Sequence, residues 1–322
     1  MTISNFNTAI VVNQFINPMI IATPVRDMIA AMFADQYSIP FNHGNTLVTV
    51  RFQQLPPAVV AIQPEDLVGA PPQQLNRDLI TTSLSEYQQA VAITTRFLMQ
   101  DELPWLAEAA ERISVSLREG MDLNYYAAIT GSASEYNCRY GVNGDTPTES
   151  TTQDYLEIEA ALSANSAALV SQIYQGSKQF GTTPVQPAYF VAINNALSPI
   201  IAAFQGFTYT ANYPIESESR APSEYGSFNR FRFFRSPNVP VLPKASALGN
   251  DVFQSIVGGA NAYCGVSLSE EGLQTLYRPP EYGNNPYGIY ATIGSRVFWG
   301  ASITQNTWIL NVLSTGGATQ VF

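Results

Sequence analysis

Thr46-Leu47-Val48-Thr49-Val50-Arg51-Phe52 alternates strictly, with Val48, Val50 and Phe52 on one side and Leu47, Thr49 and Arg51 on the other. That is the period of two imposed by a pleated strand. A second extended stretch runs from about Leu79 to Ile93, and residues 53–78 between them carry Pro56, Pro57, Pro64, Gly69, Pro71 and Pro72. A connection of that length is unusual inside a compact domain and tends to be functional or disordered. Flanked by two β-capable arms, it predicts a projecting hairpin. Residues 46–93, out and back, reach at most roughly 80 Å at about 3.3 Å per residue. An arm of that length serves a neighbour rather than its own domain. The candidate contact residues are therefore Phe52, Leu55, Pro56, Pro57, Leu67, Pro71, Pro72 and Arg77.

Outward from the hairpin, residues 1–40 mix short apolar pieces with Asn and Pro. Pro24 to Phe33 predicts one short helix with Met28, Ile29 and Met32 on one face, too little for a core of its own. After the hairpin comes the best helix. Asp101 or Leu103 caps it, Pro104 suits its first turn, and Asp101, Glu102, Glu108 and Glu111 favour its N-terminal half. Leu106, Ala110, Ile113, Leu117 and Met121 form one stripe, and the pattern stops at Gly131, giving about 40 Å of helix. A second helix starts near Thr151, where Asp154 completes a capping box, with Tyr155, Ile158, Leu162, Leu169 and Ile173 as its inner face. Ala188 to Ile193 reads as a buried strand and Ser198 to Gln205 as a short helix. Residues 206–250 are rich in Pro, Ser and aromatics around a strand from Phe228 to Phe234. The chain then turns β, through Phe253–Val257, Gly288–Ile293, Val297–Ile303 and Trp308–Leu313. The sum is α+β, with no internal repeat.

Composition bears on function. Of 322 residues only 12% are charged, about half the usual share, and polarity comes instead from 22 Asn and 20 Gln. Unpaired charge is expensive to bury while amides and apolar groups are not, so such a surface suits coverage by neighbours. A secreted protein shows the same composition. The N-terminus lacks a basic region followed by an apolar one, and no apolar run reaches the 18 or so residues of a membrane span, which favours an intracellular assembly. The net charge of −10 argues against direct grip on nucleic acid, although an acidic wall can enclose DNA without sticking to it. Cys138 and Cys264 have no metal-ligand spacing; they pair only in an oxidising compartment and otherwise read as two free thiols of a cytoplasmic product.

A search for chemistry comes back empty. His43, the single histidine, reads as a turn residue beside Gly44. Without it no nucleophilic triad can be built, and no Ser or Cys has a nucleophile-elbow context. Glu216-Ser217-Glu218 reads as solvated loop. Gly258-Gly259-Ala260-Asn261-Ala262 lacks a following Gly-Lys-Ser/Thr and reads as a tight strand connection rather than a phosphate cradle. Arg230, Arg232 and Arg235 among Phe228, Phe231, Phe233 and Phe234 could imitate a base-stacking patch; against the acidic whole they read as packed Phe and paired Arg. No catalytic residue, cofactor or metal ligand is expected.

The order of parts (arm, long hairpin, long helix, mixed central domain, terminal strands) resembles the HK97-type major capsid fold of tailed bacteriophages. Within it, Gly44 to Phe52 resembles the start of the hairpin in the N4 gp56-like major capsid family. Leu67-Val68-Gly69-Ala70-Pro71-Pro72 is similar to that family's Leu, Gly and Pro pattern. Glu224-Tyr225-Gly226-Ser227-Phe228-Asn229-Arg230-Phe231-Arg232-Phe233 resembles its Glu-x-Gly-x-x-x-x-Phe-Arg segment, and Ile256-Val257-Gly258 through Gly265-Val266 its following apolar strand. Val297-Phe298-Trp299-Gly300-Ala301 to Trp308 is similar to its closing strand pair. Two departures stand out: Val68 replaces an expected acid, and Gly300 an expected Lys or Arg.

The resemblance implies an N-terminal arm (1–40), E-loop hairpin (41–98), spine helix (99–131), a peripheral-domain loop and second helix (132–183), an axial domain (184–250), and closing strands (251–322). It further implies hexamers and pentamers tiling an icosahedral virion shell around double-stranded DNA, assembled in the host bacterial cytoplasm. The implied partners are a portal protein and, where the shell needs them, scaffolding and cement or decoration proteins, with no membrane. Some HK97-type shells are welded through an E-loop Lys; here the lysines are Lys178 and Lys244, both outside the hairpin, so no covalent chainmail of that kind is expected. The alternatives are a tail-tube or neck protein and a secreted glycan-binding β protein.

Overall fold

A computed structural model describes residues 28–53, 55, 74–100, 105–170, 187–212, 223–246, 248–269, 273–280 and 287–316. It opens with a single turn, α1 (Ala30–Phe33), and strand β1 (Asp35–Ile39). β2 (Thr46–Phe52) and β3 (Arg77–Ser83) pair as an antiparallel hairpin, and β4 (Ser85–Thr94) runs on into α2 (Thr95–Gln100). The long helix α3 (Trp105–Thr130) leads to β5 (Ser134–Asn137) and α4 (Thr152–Ala164). The middle holds β6 (Tyr189–Ile193), α5 (Ser198–Ala202), β7 (Thr208–Tyr209), β8 (Glu224–Phe228), β9 (Phe231–Arg235) and β10 (Val241–Leu242). Then come β11 (Val252–Gly258), β12 (Tyr263–Leu268), β13 (Gln274–Arg278), β14 (Tyr290–Ile303) and β15 (Ile309–Thr315).

Two larger sheets organise these strands. The first runs β1-β12-β14-β13, with β4 along the other flank of β14. Helix α3 lies on it, burying Ile113 and Leu117 against Ile293. The second runs β5-β15-β11-β6-β9-β8-β7, with β10 on β11. Tyr155, Ile158 and Leu162 of α4 and Ile200 and Ile201 of α5 pack there against Val191, Ile193, Phe231 and Phe233. A third cluster joins α1, the end of α3 and both sheets, through Ile29, Phe33, Tyr125, Tyr126, Ile129, Phe190, Tyr263 and Trp299. There Phe33 stacks on Phe190 at 4.4 Å. Each such side chain, fully buried, contributes about 1.5–3 kcal/mol, so this cluster fixes the two sheets to one another.

Local signals explain the helix ends. Thr151 caps α4 with both halves of the capping box present, and Gly131 closes α3 through its amide to the Ala127 carbonyl at 3.0 Å. Helix α4 nevertheless stops at Ala164 rather than continuing to Leu169, because Ser166 turns to φ 53°; Ile173 lies outside the described residues. Helix α1 is shorter than the expected Pro24–Phe33, since Met28 and Ile29 precede it and residues 24–27 lie outside the described set. The caps Asp101 and Leu103, with Pro104, also fall outside it.

Among the strands, Phe228–Phe234 is not one strand but a tight hairpin, turned at Asn229 with φ 52°. The expected Gly288–Ile293 and Val297–Ile303 form one strand: Gly294 does not break it, because it lets β14 lie close on Ala90 of β4. The extended stretch read as Leu79–Ile93 divides at buried Leu84 into β3, in the hairpin, and β4, in the first sheet. Gly258 to Ala262 joins β11 to β12 as expected of a tight connection, crossing from one sheet to the other.

Candidate assembly interface

The hairpin register sorts its side chains into two faces. Val48 stands opposite Thr81, Val50 opposite Leu79 and Phe52 opposite Arg77; Leu47, Thr49 and Arg51 pair with Thr82, Ile80 and Asp78 on the other face.

The inner face is attached to the molecule. Leu47 joins Ile39, Leu84, Cys264 and Val266 in a small core, and the Thr82 hydroxyl meets that of Ser302. Arg51 Nη1 donates to the Thr304 carbonyl at 3.0 Å and to the side chain of Gln305, while Nη2 pairs with Asp78 Oδ2 at 2.7 Å. Gln53 donates to the other Asp78 oxygen at 2.8 Å. These hydrogen bonds from Arg51 and Gln53 hold the Asp78 carboxyl below the usual carboxylate range. A cleft of about 620 Å³ remains between the outer half of the hairpin and Tyr37, Asn261, Gln305 and Trp308. At the stem, a Cβ on Gly300 would sit 2.3 Å from the Ser83 carbonyl oxygen, so glycine there lets the hairpin base cross β14. That gives a physical account of the position where the resembled family carries Lys or Arg.

The outer face is different. Val48, Val50, Phe52 and Leu79 are 50%, 49%, 63% and 58% exposed, a continuous apolar strip bordered on the same face by Thr81 and Arg77. Single exposed apolar residues are ordinary, but a contiguous strip marks an interaction site. Of the residues expected from sequence, Phe52, Leu55 and Arg77 are exposed on or beside this strip, while Pro56, Pro57, Leu67, Pro71 and Pro72 lie outside the described residues. Val48, Val50 and Leu79 had not been singled out as contacts, although the alternation already placed the two valines beside Phe52.

The other candidates resolve into structure. Phe231, Phe233 and Phe234 are buried. Arg232 donates to Glu224 at 2.8 Å, Arg230 lies 3.6 Å from Glu159, and Arg235 sits 4.4 Å over the Tyr225 ring, so this strand is packed Phe and paired Arg rather than a stacking platform. His43 stands in an exposed turn with Nδ1 2.9 Å from the Phe41 carbonyl oxygen. Cys138 and Cys264 are free thiols, both buried. Among the described residues no three His, Cys, Asp or Glu side chains gather, and no helix is long and apolar enough to cross a membrane. Glu216 and Glu218 lie outside those residues.

One buried charge was missed. Asp122 of α3 is 1% exposed and accepts from the Ala30 amide and from Asn238 Nδ2, both at 3.0 Å. It ties α1 and the loop after β9 to the long helix. Burial pushes its carboxyl above the usual range, against the lowering effect of those hydrogen bonds.

No protein-family model matches the chain, and no curated protein does. Solved structures do match. The capsid of Ralstonia phage GP4 aligns with a TM-score of 0.68 at 9% identity, covering 100% of each chain. The head structure of Helicobacter pylori bacteriophage KHP40 gives 0.63 at 10% identity over 98% of each. The capsid of cyanophage P-SCSP1u gives 0.62 at 10%, over 95% of this chain and 94% of the other. The fold is α+β of the HK97 type.

Proposed function

We propose that this chain is the major capsid subunit of a tailed bacteriophage and has no enzymatic role. In this reading it assembles as hexamers and pentamers into an icosahedral shell around double-stranded DNA, and by its motifs it is most similar to the N4 gp56-like family. The observation that carries the reading is the outer hairpin face: an apolar strip held away from its own core by an inner face that is already engaged. The full-length likeness in fold to phage capsid structures supports it.

The parts then take roles. The hairpin lies over the adjacent subunit and buries the strip. Of the arm of residues 1–40, the part ahead of Met28 clamps neighbours, since Ile29 to Ile39 are packed in the subunit's own core and first sheet; the region of 184–250 faces the local symmetry axis. Amides and hydroxyls supply many contacts, each worth about 0.5–1.5 kcal/mol net and repeated at every copy. A net charge of −10 keeps the wall from adhering to the phosphates it encloses. A portal and, where needed, scaffolding and cement proteins complete the particle in the host cytoplasm. With Lys178 and Lys244 outside the hairpin, the contacts are non-covalent.

Electron microscopy of the overexpressed chain tests this. Closed shells are expected. Open tubes or rings would point to a tail or neck component, and dispersed monomers at all concentrations would overturn the reading.

A further inference from the structure

Among the described residues, one edge of the first sheet has no strand paired to it, and the assembly reading leaves it unassigned. The Thr95 amide donates to the Ile289 carbonyl at 2.7 Å, and the register continues through Thr94 opposite Tyr290 without a shift to Ser85 opposite Trp299. In an antiparallel ladder, residues alternate between exchanging bonds with the partner and turning both backbone groups away from it. Glu86, Gln88, Ala90 and Ala92 therefore point their N–H and C=O groups away from β14. No described strand pairs with that side of β4, and residues 85–90 are exposed.

This edge lacks the devices that monomeric proteins use to blunt one. β4 is ten residues long, with no Pro, no Lys, no bulge and one charge, Glu86. A strand of this kind is a template awaiting a partner.

The hairpin has the complementary deficiency. The Gln53 amide donates to Asn76 and the Leu84 amide to Asn45, which sets the phase so that Val48, Val50 and Phe52 turn their backbone groups away from β3. A two-stranded sheet is marginal by itself and gains independent stability from a third strand. The molecule's own hairpin cannot supply its own β4 edge. Leu47 and Leu84 fix it on Cys264 and Val266 of β12, and Arg51 on Thr304, which places it on the flank of β14 opposite β4.

We propose that the free edge of β4 accepts, as an added strand, the β2 edge of the hairpin of a second copy of this chain. The contact is head-to-tail, so each copy gives one edge and receives another, as a closed ring of subunits requires. Backbone bonding supplies the affinity, and the apolar strip of the incoming hairpin supplies the burial. The inference rests on the assembly reading and adds which surface receives the hairpin.

Backbone hydrogen exchange, compared between assembled particles and free monomers, tests it. The amides of Gln88, Ala90 and Ala92 and those of Val48 and Val50 should slow at least about a hundredfold on assembly. The substitution Gln88→Pro removes one outward N–H at a position where an edge strand tolerates proline, so the monomer should unfold within a few degrees of wild type while assembly is lost. Shells whose β4 amides exchange as fast as in the monomer, or a Gln88→Pro chain that assembles normally, would overturn the edge and leave the capsid reading standing. Protection of β4 without protection of β2 overturns the hairpin as its occupant. Should Gln88→Pro fail to fold, the exchange comparison on the wild type decides alone. A wild type that stays monomeric overturns both readings.

Discussion

Replacing Phe52 and Leu79 together by Ser separates a surface made for a neighbour from a poorly packed piece of the chain's own core. Full burial of a Phe or Leu side chain contributes about 1.5–3 kcal/mol. Phe52 and Leu79 are already 37–42% covered, being 63% and 58% exposed, so docking gains roughly 60% of that for each. The pair together then accounts for about 1.8–3.6 kcal/mol per subunit contact, or about 20- to 400-fold in an association constant at about 1.4 kcal/mol per factor of ten. Folding of the monomer should barely respond, because surface substitutions away from special features stay within about 0.5 kcal/mol. The assay is the protein concentration at which particles first form, followed by light scattering and micrographs, beside thermal unfolding of the unassembled chain. The double variant should require at least tenfold more protein, with its melting temperature within a few degrees of wild type. A shift smaller than twofold would show that nothing covers this face. A large loss of monomer stability would show that it belongs to the subunit's own core.

Asp122 predicts a pH dependence of monomer stability. Its carboxyl is raised by burial, so the folded state favours the protonated acid; that contribution is complete below the ordinary value of 3.8 and is lost as pH rises through the raised one. Urea unfolding between about pH 4 and pH 7 should show a decline that Asp122→Asn reduces, and two curves of equal slope would refute it. Gly300→Ala should destabilise the chain by about 1–3 kcal/mol, since the new methyl meets the Ser83 carbonyl rather than a movable side chain; an unchanged melting temperature would remove the stem from the account. Mature shells dissolved in denaturant should run at the 35.1 kDa monomer mass, and a ladder of multiples would disprove non-covalent closure.

What the sequence disclosed follows the range of the forces involved. The start of α4 needs only Thr151 and Asp154, three residues apart, and was legible; so was β2, whose alternation is written in seven consecutive residues. Alternation sorts side chains into two faces but does not say which is covered. That is decided by Ser302, Thr304 and Cys264, more than 200 residues downstream, and they cover the Leu47 side rather than the Val48 side. Asp122 was invisible for the same reason. On a helix a lone carboxylate reads as solvated, and its donors, Ala30 and Asn238, lie 92 and 116 positions away. The break at Leu84 was missed because two strands of different sheets join without a turn residue, so nothing local marks the change of partner. Gly300 is the most instructive case. Compared with the resembled family it reads as a cation lost, whereas its place under the Ser83 carbonyl makes it a residue that could not be larger without moving the hairpin. A departure from a family pattern therefore carries structural information only once its spatial neighbour is known, and here that neighbour is the base of the element proposed to bind the next subunit.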